Sequence, residues 1–196
     1  SPNIAHIGYF NDGFFTFSHS FGIPWVNSIS SKIDNSWYHK IINRTPYAIT
    51  SDENSILIKT GKSIKIYDKY CELERTIANY QPYAEYNTLI FSDDENRIWC
   101  DYLVSYRGNR WNLQYYQNEA WQQINESSHG LPDSYFFKAD FNTKGDLFVA
   151  TDSAIYSYRD DYFNLLTTYP NNLPRAYKMD FEIDVNGNFW FNGSDG

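Results

Sequence analysis

The 196 residues suffice to bury the core of one sizeable domain, and no apolar run is long enough for a transmembrane span. The net charge of −8 repels phosphate backbones and anionic lipid surfaces, so we expect neither nucleic acid nor membrane contact. Aromatic residues make up 19% of the chain, and because aromatic rings suit half-buried pleated surfaces, this composition favours strands over helices.

A polar turn centred on Asn or Gly recurs four times, at Asn54, Asn96, Gly145 and Gly187. The steps between these turns are 42, 49 and 42 residues, and the Leu-Pro pairs that open at Leu131 and Leu173 repeat the 42-residue spacing. Alternating apolar residues follow each turn, which is the signal of a β-hairpin. A repeat of this length is typical of a four-stranded propeller blade. The sequence therefore predicts an all-β fold, a β-propeller of four-stranded blades.

In chain order, the repeat predicts one partial propeller of about four to five blades or part-blades. The predicted segments are 1–22, the end of a blade with its strands C and D; 23–81, a blade with an insertion; 82–130, a blade with an insertion between strands B and C; 131–172, a regular blade; and 173–196, the start of a blade. In the regular blade, strands A to D are predicted at 135–141, 147–150, 155–158 and 163–169. The chain opens without a signal-peptide pattern. Because the predicted chain begins inside one blade and ends inside another, we expect a fragment of a larger propeller, or end pieces that combine into one blade.

Two segments depart from the period. Seven extra residues lie between strands B and C of the third unit, within 101–112, and 17 lie before or within strand A of the second unit, within 24–45. In an up-and-down blade the D–A and B–C connections emerge on one face. If the second insertion precedes strand A, both insertions are therefore expected on the same face.

These insertions carry aromatic and charged residues that a blade does not need. Aromatic rings stack on the apolar face of a sugar, while Arg, Asp and Asn hydrogen-bond its hydroxyl groups. The candidate ligand-binding residues are Trp25, Trp37, Tyr38, Asp101, Tyr102, Tyr106, Arg107, Arg110, Trp111 and Asp152. An aromatic insertion could equally pack on a neighbouring domain or on a second copy in a homodimer, and this alternative stays open.

We find no catalytic motif, metal-binding spacing or cofactor motif in the sequence. The acidic clusters at 93–95 and 160–161 fall at predicted turns, where solvated carboxylates are favoured over a catalytic pair. Cys71 and Cys100 are assigned to different strands of neighbouring blades and predicted to be unpaired, buried side chains. The aromatic residues at repeat positions are predicted to pack in the core or between blades, among them Tyr67, Trp99, Phe148, Tyr158 and either Phe189 or Trp190.

The unit from Gly130-Leu131-Pro132 through Gly145-Asp146-Leu147-Phe148-Val149-Ala150-Thr151 to Tyr158 resembles the two-component regulator propeller repeat. That family's pattern is a Gly-Leu-Pro opening, then Asp-x-x-Gly-x-Leu-Trp-Ile-Gly-Thr, then a Gly-Leu-x-x-Tyr strand. The last unit keeps Asp184, Gly187 and Trp190 of this pattern. The resemblance covers most of residues 46–196.

The resemblance implies the periplasmic part of a Bacteroidetes hybrid two-component sensor, with further propeller or β-sandwich domains in the same chain. It implies no catalytic set. The leading hypothesis is a non-catalytic, periplasmic or extracellular region that recognises an oligosaccharide or related small molecule. The alternatives are a propeller scaffold for protein–protein or domain–domain contact in a secreted or secretion-associated protein, and a propeller lyase or glycosidase.

Overall fold

The computed structural model describes residues 3–10, 12–20, 26–42, 46, 48–52, 54–60, 63–78, 89–105, 110–134, 136–142, 145–168, 180–184 and 188–192. Within them, four antiparallel sheets of four strands follow one another along the chain, and a two-stranded sheet ends the series. Strands that are neighbours in sequence are neighbours in every sheet, which is the meander order of propeller blades. The predicted all-β propeller fold is confirmed.

The first sheet spans the blade boundary that the sequence predicted between residues 22 and 23. Its strands are β1 (Asn3–Phe10), β2 (Gly13–Ser20), β3 (Val26–Ile33) and β4 (Ser36–Ile42), in that order. Strand β2 pairs with β3 from Gly13↔Ile33 to Ser20↔Val26. The predicted boundary between residues 22 and 23 is therefore wrong, and residues 1–22 hold the first two strands of a sheet rather than strands C and D. Because this sheet is already complete, the end pieces do not combine into one blade.

The remaining sheets follow the predicted repeat more closely. The second contains β5 (Ala48–Ser51), β6 (Ser55–Lys59), β7 (Ser63–Asp68) and β8 (Leu73–Ala78), and the third β9 (Ile90–Ser92), β10 (Ile98–Ser105), β11 (Arg110–Gln117) and β12 (Ala120–Gln123). The fourth contains β13 (Phe136–Phe141), β14 (Leu147–Thr151), β15 (Ala154–Arg159) and β16 (Tyr162–Thr168), and the last β17 (Asp180–Ile183) and β18 (Phe189–Asn192). The insertion predicted within 24–45 is not an insertion, because most of it forms β3 and β4.

The chain divides into two compact units, residues 1–92 and 93–196. In the first unit, alternate residues of the first sheet face the second sheet. The resulting core is formed by Phe10, Phe15, Phe17, Ile29, Ile33, Ile42, Ile56, Ile58, Tyr67 and Cys71. Burial of each large apolar side chain contributes roughly 1.5–3 kcal/mol. The apolar side chains at alternate positions of the strands thus hold these two sheets together.

Both cysteines are buried, as predicted. Cys71 lies in the turn between β7 and β8 rather than in a strand, with a φ of 64°. Its Sγ lies 3.4 Å from Ser31 Oγ, and burial raises the pKa of the thiol. A buried thiol of raised pKa is a packing group rather than a nucleophile.

In the second unit, a short helix leads into the fourth sheet. Helix α1 (Glu126–His129) begins after Asn125, whose side chain accepts a hydrogen bond from the Ser128 amide, and ends at Gly130 with a φ of 75°. A Cβ at Gly130 would collide with the Phe163 carbonyl oxygen, so only glycine fits there. This explains the glycine before Leu131. No helix among the described residues is long and apolar enough to cross a membrane.

Candidate functional site

One hydrogen-bonded turn recurs between the first two strands of the later sheets. Asp93 begins it in the third sheet, and its Oδ1 accepts from the Arg97 amide at 2.9 Å while its Oδ2 accepts from Trp99 Nε1 at 2.7 Å. In the last sheet, Asp184 accepts in the same way from the Asn188 amide at 2.9 Å and from Trp190 Nε1 at 3.1 Å. The Asp and Trp of the repeat therefore form one structural unit, here named the Asp–Trp lock.

The fourth sheet has a variant of this turn. Asn142 replaces the aspartate and accepts from the Asp146 amide at 2.9 Å, while its Nδ2 donates to Asp146 Oδ2 at 2.8 Å. Gly145 takes the left-handed position with a φ of 81°, where Asn96 stands in the third sheet with a φ of 59°. Both residue types tolerate this conformation, which is why Asn and Gly alternate in the sequence repeat.

Arg97 is a buried charged residue of the second unit with several partners. Its side chain is 8% exposed, and its Nε donates to Asp93 Oδ2 at 2.6 Å. Its Nη1 donates to the Tyr158 hydroxyl at 3.3 Å and lies 3.4 Å from Asp161 Oδ1. Burial opposes the charge, but the hydrogen bond and negative charge of Asp93 outweigh it and raise the Arg97 pKa. Arg97 thus joins the third sheet to the fourth as a permanent cation.

Aromatic rings enclose this guanidinium. Its carbon lies 5.3 Å from the Trp99 ring centre, 5.4 Å from Tyr115 and 5.3 Å from Tyr158, within cation–π range. Trp99 is fully buried and packs edge-on against Tyr158 at 5.2 Å and Phe163 at 6.3 Å. The predicted packing role of Tyr67, Trp99 and Tyr158 agrees with their burial, whereas Trp190 is 65% exposed.

The hydroxyl group of Tyr158 makes the stability of this cluster depend on pH. Burial, followed by the hydrogen bond to Asp161, raises the pKa of its hydroxyl above the ordinary value of about 10. The unfolded chain therefore loses this proton first, so the contribution to stability is complete below about pH 10 and is lost as pH rises further.

We therefore expect the urea midpoint of unfolding to fall above about pH 10, and to fall less steeply in Tyr158→Phe, which has no hydroxyl to titrate. Tyr162→Phe, at a 45% exposed ring of the same sheet, is the control for the loss of a tyrosine hydroxyl as such. The measurement is urea unfolding followed by circular dichroism at pH values from 8 to about 11. Equal slopes for wild type and Tyr158→Phe would contradict the assignment.

A polar pocket of about 360 Å³ opens beside the Arg97 cluster. Its carboxylates are Asp93, Asp94, Glu95, Asp146, Asp160 and Asp161, and its cations are Arg97 and Arg159. The two acidic clusters, which were predicted as solvated turns, therefore both line this pocket. The excess of carboxylates disfavours anions and suits hydroxyl or ammonium groups. The described residues include no group of three or more His, Cys, Asp or Glu side chains that could hold a metal ion.

The insertion within 101–112 is a lengthened hairpin. Strands β10 and β11 pair from Ile98↔Tyr116 to Ser105↔Arg110, with an irregularity between Leu103 and Ser105. In the fourth sheet the corresponding turn closes early, because the buried Thr151 hydroxyl bonds to the Ala154 carbonyl oxygen at 3.0 Å. The third sheet has Tyr102 at that position, and its strands continue.

The predicted hairpin residues that the structure describes are buried. Asp101 is 6% exposed and Tyr102 is 8% exposed, and the Tyr102 hydroxyl donates to the Ile124 carbonyl oxygen at 3.1 Å. Sequence reasoning missed the polar residues opposite them on β11. Asn112, which pairs with Tyr102, is fully buried and donates to Asp133 Oδ1 at 3.0 Å. Gln114, which pairs with Cys100, is buried, and its Oε1 has no hydrogen-bond partner among the described residues. The alternation of Asn112 and Gln114 with the apolar Leu113 and Tyr115 on one strand is the sequence pattern that could have identified them.

The other predicted binding residues do not gather around this hairpin. Trp37 and Tyr38 belong to β4 of the first unit and point to opposite faces of its sheet. Tyr38 packs against the core, with its ring 4.9 Å from that of Tyr70, whereas Trp37 is 61% exposed. Asp152 is exposed in the turn between β14 and β15. The residues outside the described part are Trp25, Tyr106 and Arg107, and of Arg110 and Trp111 only the backbone is described, in β11.

Comparison with known proteins supports the fold. No protein-family model matches the sequence, and no curated protein matches it significantly. Two extracellular domains described as parts of hybrid two-component systems of B. thetaiotaomicron match with a TM-score of 0.60 each, at 16% and 14% identity, covering 98% and 97% of this chain and 27% and 26% of theirs. Virginiamycin B lyase from Staphylococcus aureus matches with a TM-score of 0.64 at 14% identity, covering 94% of this chain and 61% of its own.

These matches place the chain in a structural class. Sequence identities this low show the fold alone, and that fold is the β-propeller. The chain spans about a quarter of the two sensor domains and about three-fifths of the lyase.

Proposed function

We propose that this chain is part of the extracytoplasmic sensory region of a two-component regulator, where it recognises a ligand and performs no chemistry. The observation that carries the proposal is the similarity to two extracellular sensor domains over 97% and 98% of this chain. The Asp–Trp locks at Asp93 and Asp184 agree with the resemblance to the regulator repeat, because they use the Asp and Trp of its motif. Other propeller or β-sandwich domains of the same chain would be its structural partners.

The ligand class that fits best is a neutral oligosaccharide or a related hydroxyl-rich molecule. The net charge of −8 disfavours anions, and the segment 101–112 contains aromatic and arginine residues, the types that stack on sugar rings and donate to their hydroxyl groups. We propose the extended end of the β10–β11 hairpin as the contact surface. The fourth sheet forms the same four-stranded blade with a shorter β14–β15 hairpin, so the blade does not require this extension. Trp111 and Arg110 would supply stacking and donor groups from this hairpin.

The proposal is tested by titration calorimetry of a glycan panel on the complete protein that contains this chain. We expect saturable heat with at least one glycan and at least a tenfold loss of affinity in Trp111→Ala. Leu165→Ala, a change at an exposed position on β16, is the matched control and should bind as the wild type does. Absence of heat with every glycan, or equal affinity for Trp111→Ala and wild type, would reject the oligosaccharide hypothesis.

A lyase is the second candidate, since virginiamycin B lyase matches this chain with a TM-score of 0.64. An elimination reaction needs a base, and the pocket beside Arg97 brings exposed carboxylates together, Asp160 among them. Under this hypothesis, the protein would turn over a member of a panel of cyclic esters and uronate glycans, and Asp160→Asn would lose that turnover. Absence of turnover in wild type would leave the sensory function as the better supported of the two.

A further inference from the structure

The connection from β12 to β13 is hydrogen-bonded to the β10–β11 hairpin. Tyr102 and Asn112 pair across this hairpin, at the level where the shorter β14–β15 hairpin of the fourth sheet already turns. The Tyr102 hydroxyl donates to the Ile124 carbonyl oxygen at 3.1 Å. Asn112 Nδ2 donates to the Leu131 carbonyl oxygen at 3.2 Å and to Asp133 Oδ1 at 3.0 Å. Asp133 therefore lies beside the point where the extended end of the hairpin begins.

The Asp133 carboxylate is held in one orientation. Asn112 is fully buried, and its own Oδ1 accepts from the Leu113 amide at 2.8 Å, so both ends of its side-chain amide are engaged. The hydrogen bond to Asp133 Oδ1 thus comes from a fixed donor. Asp133 itself is half-buried and makes no other hydrogen bond or ion pair with the part of the chain that the structure describes. Because each carboxylate oxygen has two acceptor positions, Oδ2 retains its full capacity.

The negative charge of Asp133 acts on the neighbouring Tyr102. Burial, and after it the charge of Asp133, raises the pKa of the Tyr102 hydroxyl. Tyr102 is buried, and its hydroxyl hydrogen is already donated to Ile124. Since no described cation pairs with Asp133, its remaining acceptor positions are open to an external donor. An oriented, half-buried polar group of this kind is what fixes a ligand within a site.

We propose that Asp133 binds the ligand, and that its carboxylate accepts hydrogen bonds from two adjacent hydroxyl groups of a neutral sugar. The inference rests on the proposed function and adds to it a residue and the group that this residue recognises. Hydrogen bonds to a charged acceptor are about twice as strong as those between neutral groups. Because Asn112 fixes the carboxylate before the ligand arrives, little rotamer freedom is lost on binding.

The test is titration calorimetry on the complete protein that contains this chain, with the glycan that gives the largest heat in the panel. Its monodeoxy derivatives, in each of which one hydroxyl group is replaced by hydrogen, are titrated in parallel. We expect at least one derivative to bind the wild type about tenfold or more weakly than the parent glycan, the usual effect of losing a hydrogen bond to a charged group. Asp133→Asn should bind the parent glycan about tenfold or more weakly, and the same derivative should cost it less than about threefold further.

Asp133→Asn keeps an oxygen acceptor for Asn112 and removes the charge, so the fold should be retained, which circular dichroism verifies. Asp133→Ser, which also lacks the charge, is the second variant and should show the same loss of discrimination between parent and derivative. Glu74→Gln removes one negative charge from an exposed position of β8 and is the matched control. It should bind the parent glycan as the wild type does.

Absence of heat with every glycan in the wild type would reject both the proposed function and the role of Asp133. If Trp111→Ala weakens binding while Asp133→Asn binds as the wild type does, the proposed function stands and the role of Asp133 is overturned. The role is also overturned if no deoxy derivative binds the wild type more weakly. The same conclusion follows if Asp133→Asn binds weakly but discriminates among the derivatives as the wild type does, because a purely structural effect leaves that discrimination unchanged.

Discussion

Trp99→Ala is expected to lower the free energy of unfolding of the 93–196 unit by about 3–5 kcal/mol, the usual range for truncation of a buried tryptophan. The Trp99 ring is fully buried and lies between Tyr115 of its own sheet and Tyr158 and Phe163 of the fourth sheet. Truncation leaves a cavity at this junction and removes a donor from Asp93. The cavity and the lost hydrogen bond both destabilise the same unit, so we expect Trp99→Ala to be among its most destabilising single substitutions.

The last sheet supplies a matched control for this experiment. Trp190 occupies the same position and makes the same hydrogen bond to Asp184, but it is 65% exposed. We expect Trp190→Ala to cost less than about 1 kcal/mol. The measurement is urea unfolding followed by circular dichroism, which does not depend on the number of tryptophans. A cost for Trp99→Ala no larger than that for Trp190→Ala would show that the junction does not hold the unit together.

The sequence predicted the fold best where structure is local. The strands of the regular blade lie within one or two residues of their predicted bounds wherever they are described, because the turn at Asn142 to Asp146 and the alternation on either side are short-range features. The first sheet was assigned wrongly for the converse reason. Its first two strands pair as far as Phe10↔Gly13, and the described residues that join them form no Asp–Trp lock. The repeat therefore had no landmark there.

The candidate site was harder to predict, because burial depends on partners distant in sequence. Asp101 and Tyr102 belong to a segment that departs from the period, yet they are buried, Tyr102 against the segment after β12. The acidic turns at 93–95 and 160–161 were predicted as solvated turns, without a contact between them. They meet because Arg97 bonds to Asp93 and also reaches Tyr158 and Asp161 on the fourth sheet. These partners are more than 60 residues apart in the sequence, so no local sequence pattern predicts the contact.

Asp93→Ala is expected to cost about 3–5 kcal/mol, since it leaves the buried Arg97 charge without its main partner. The Asp93 side chain is 3% exposed and accepts four hydrogen bonds, from the Glu95 and Arg97 amides, Arg97 Nε and Trp99 Nε1. Asp184→Ala is the matched control, because the same lock in the last sheet closes an exposed turn and has Asn188 where the third sheet has Arg97. We expect it to cost about 1 kcal/mol or less.

A double-mutant cycle separates the charge from the turn. Arg97→Met keeps an apolar chain among the rings of Trp99, Tyr115 and Tyr158 but removes the cation that Asp93 balances. If the uncompensated charge dominates, Asp93→Ala combined with Arg97→Met should be about 1–3 kcal/mol more stable than the sum of the single effects predicts. Additive effects, measured by urea unfolding, would instead assign the cost of Asp93→Ala to the lost amide and indole hydrogen bonds. The Asp–Trp lock would then be the main stabilising element of the blade, and Arg97 an accessory to it.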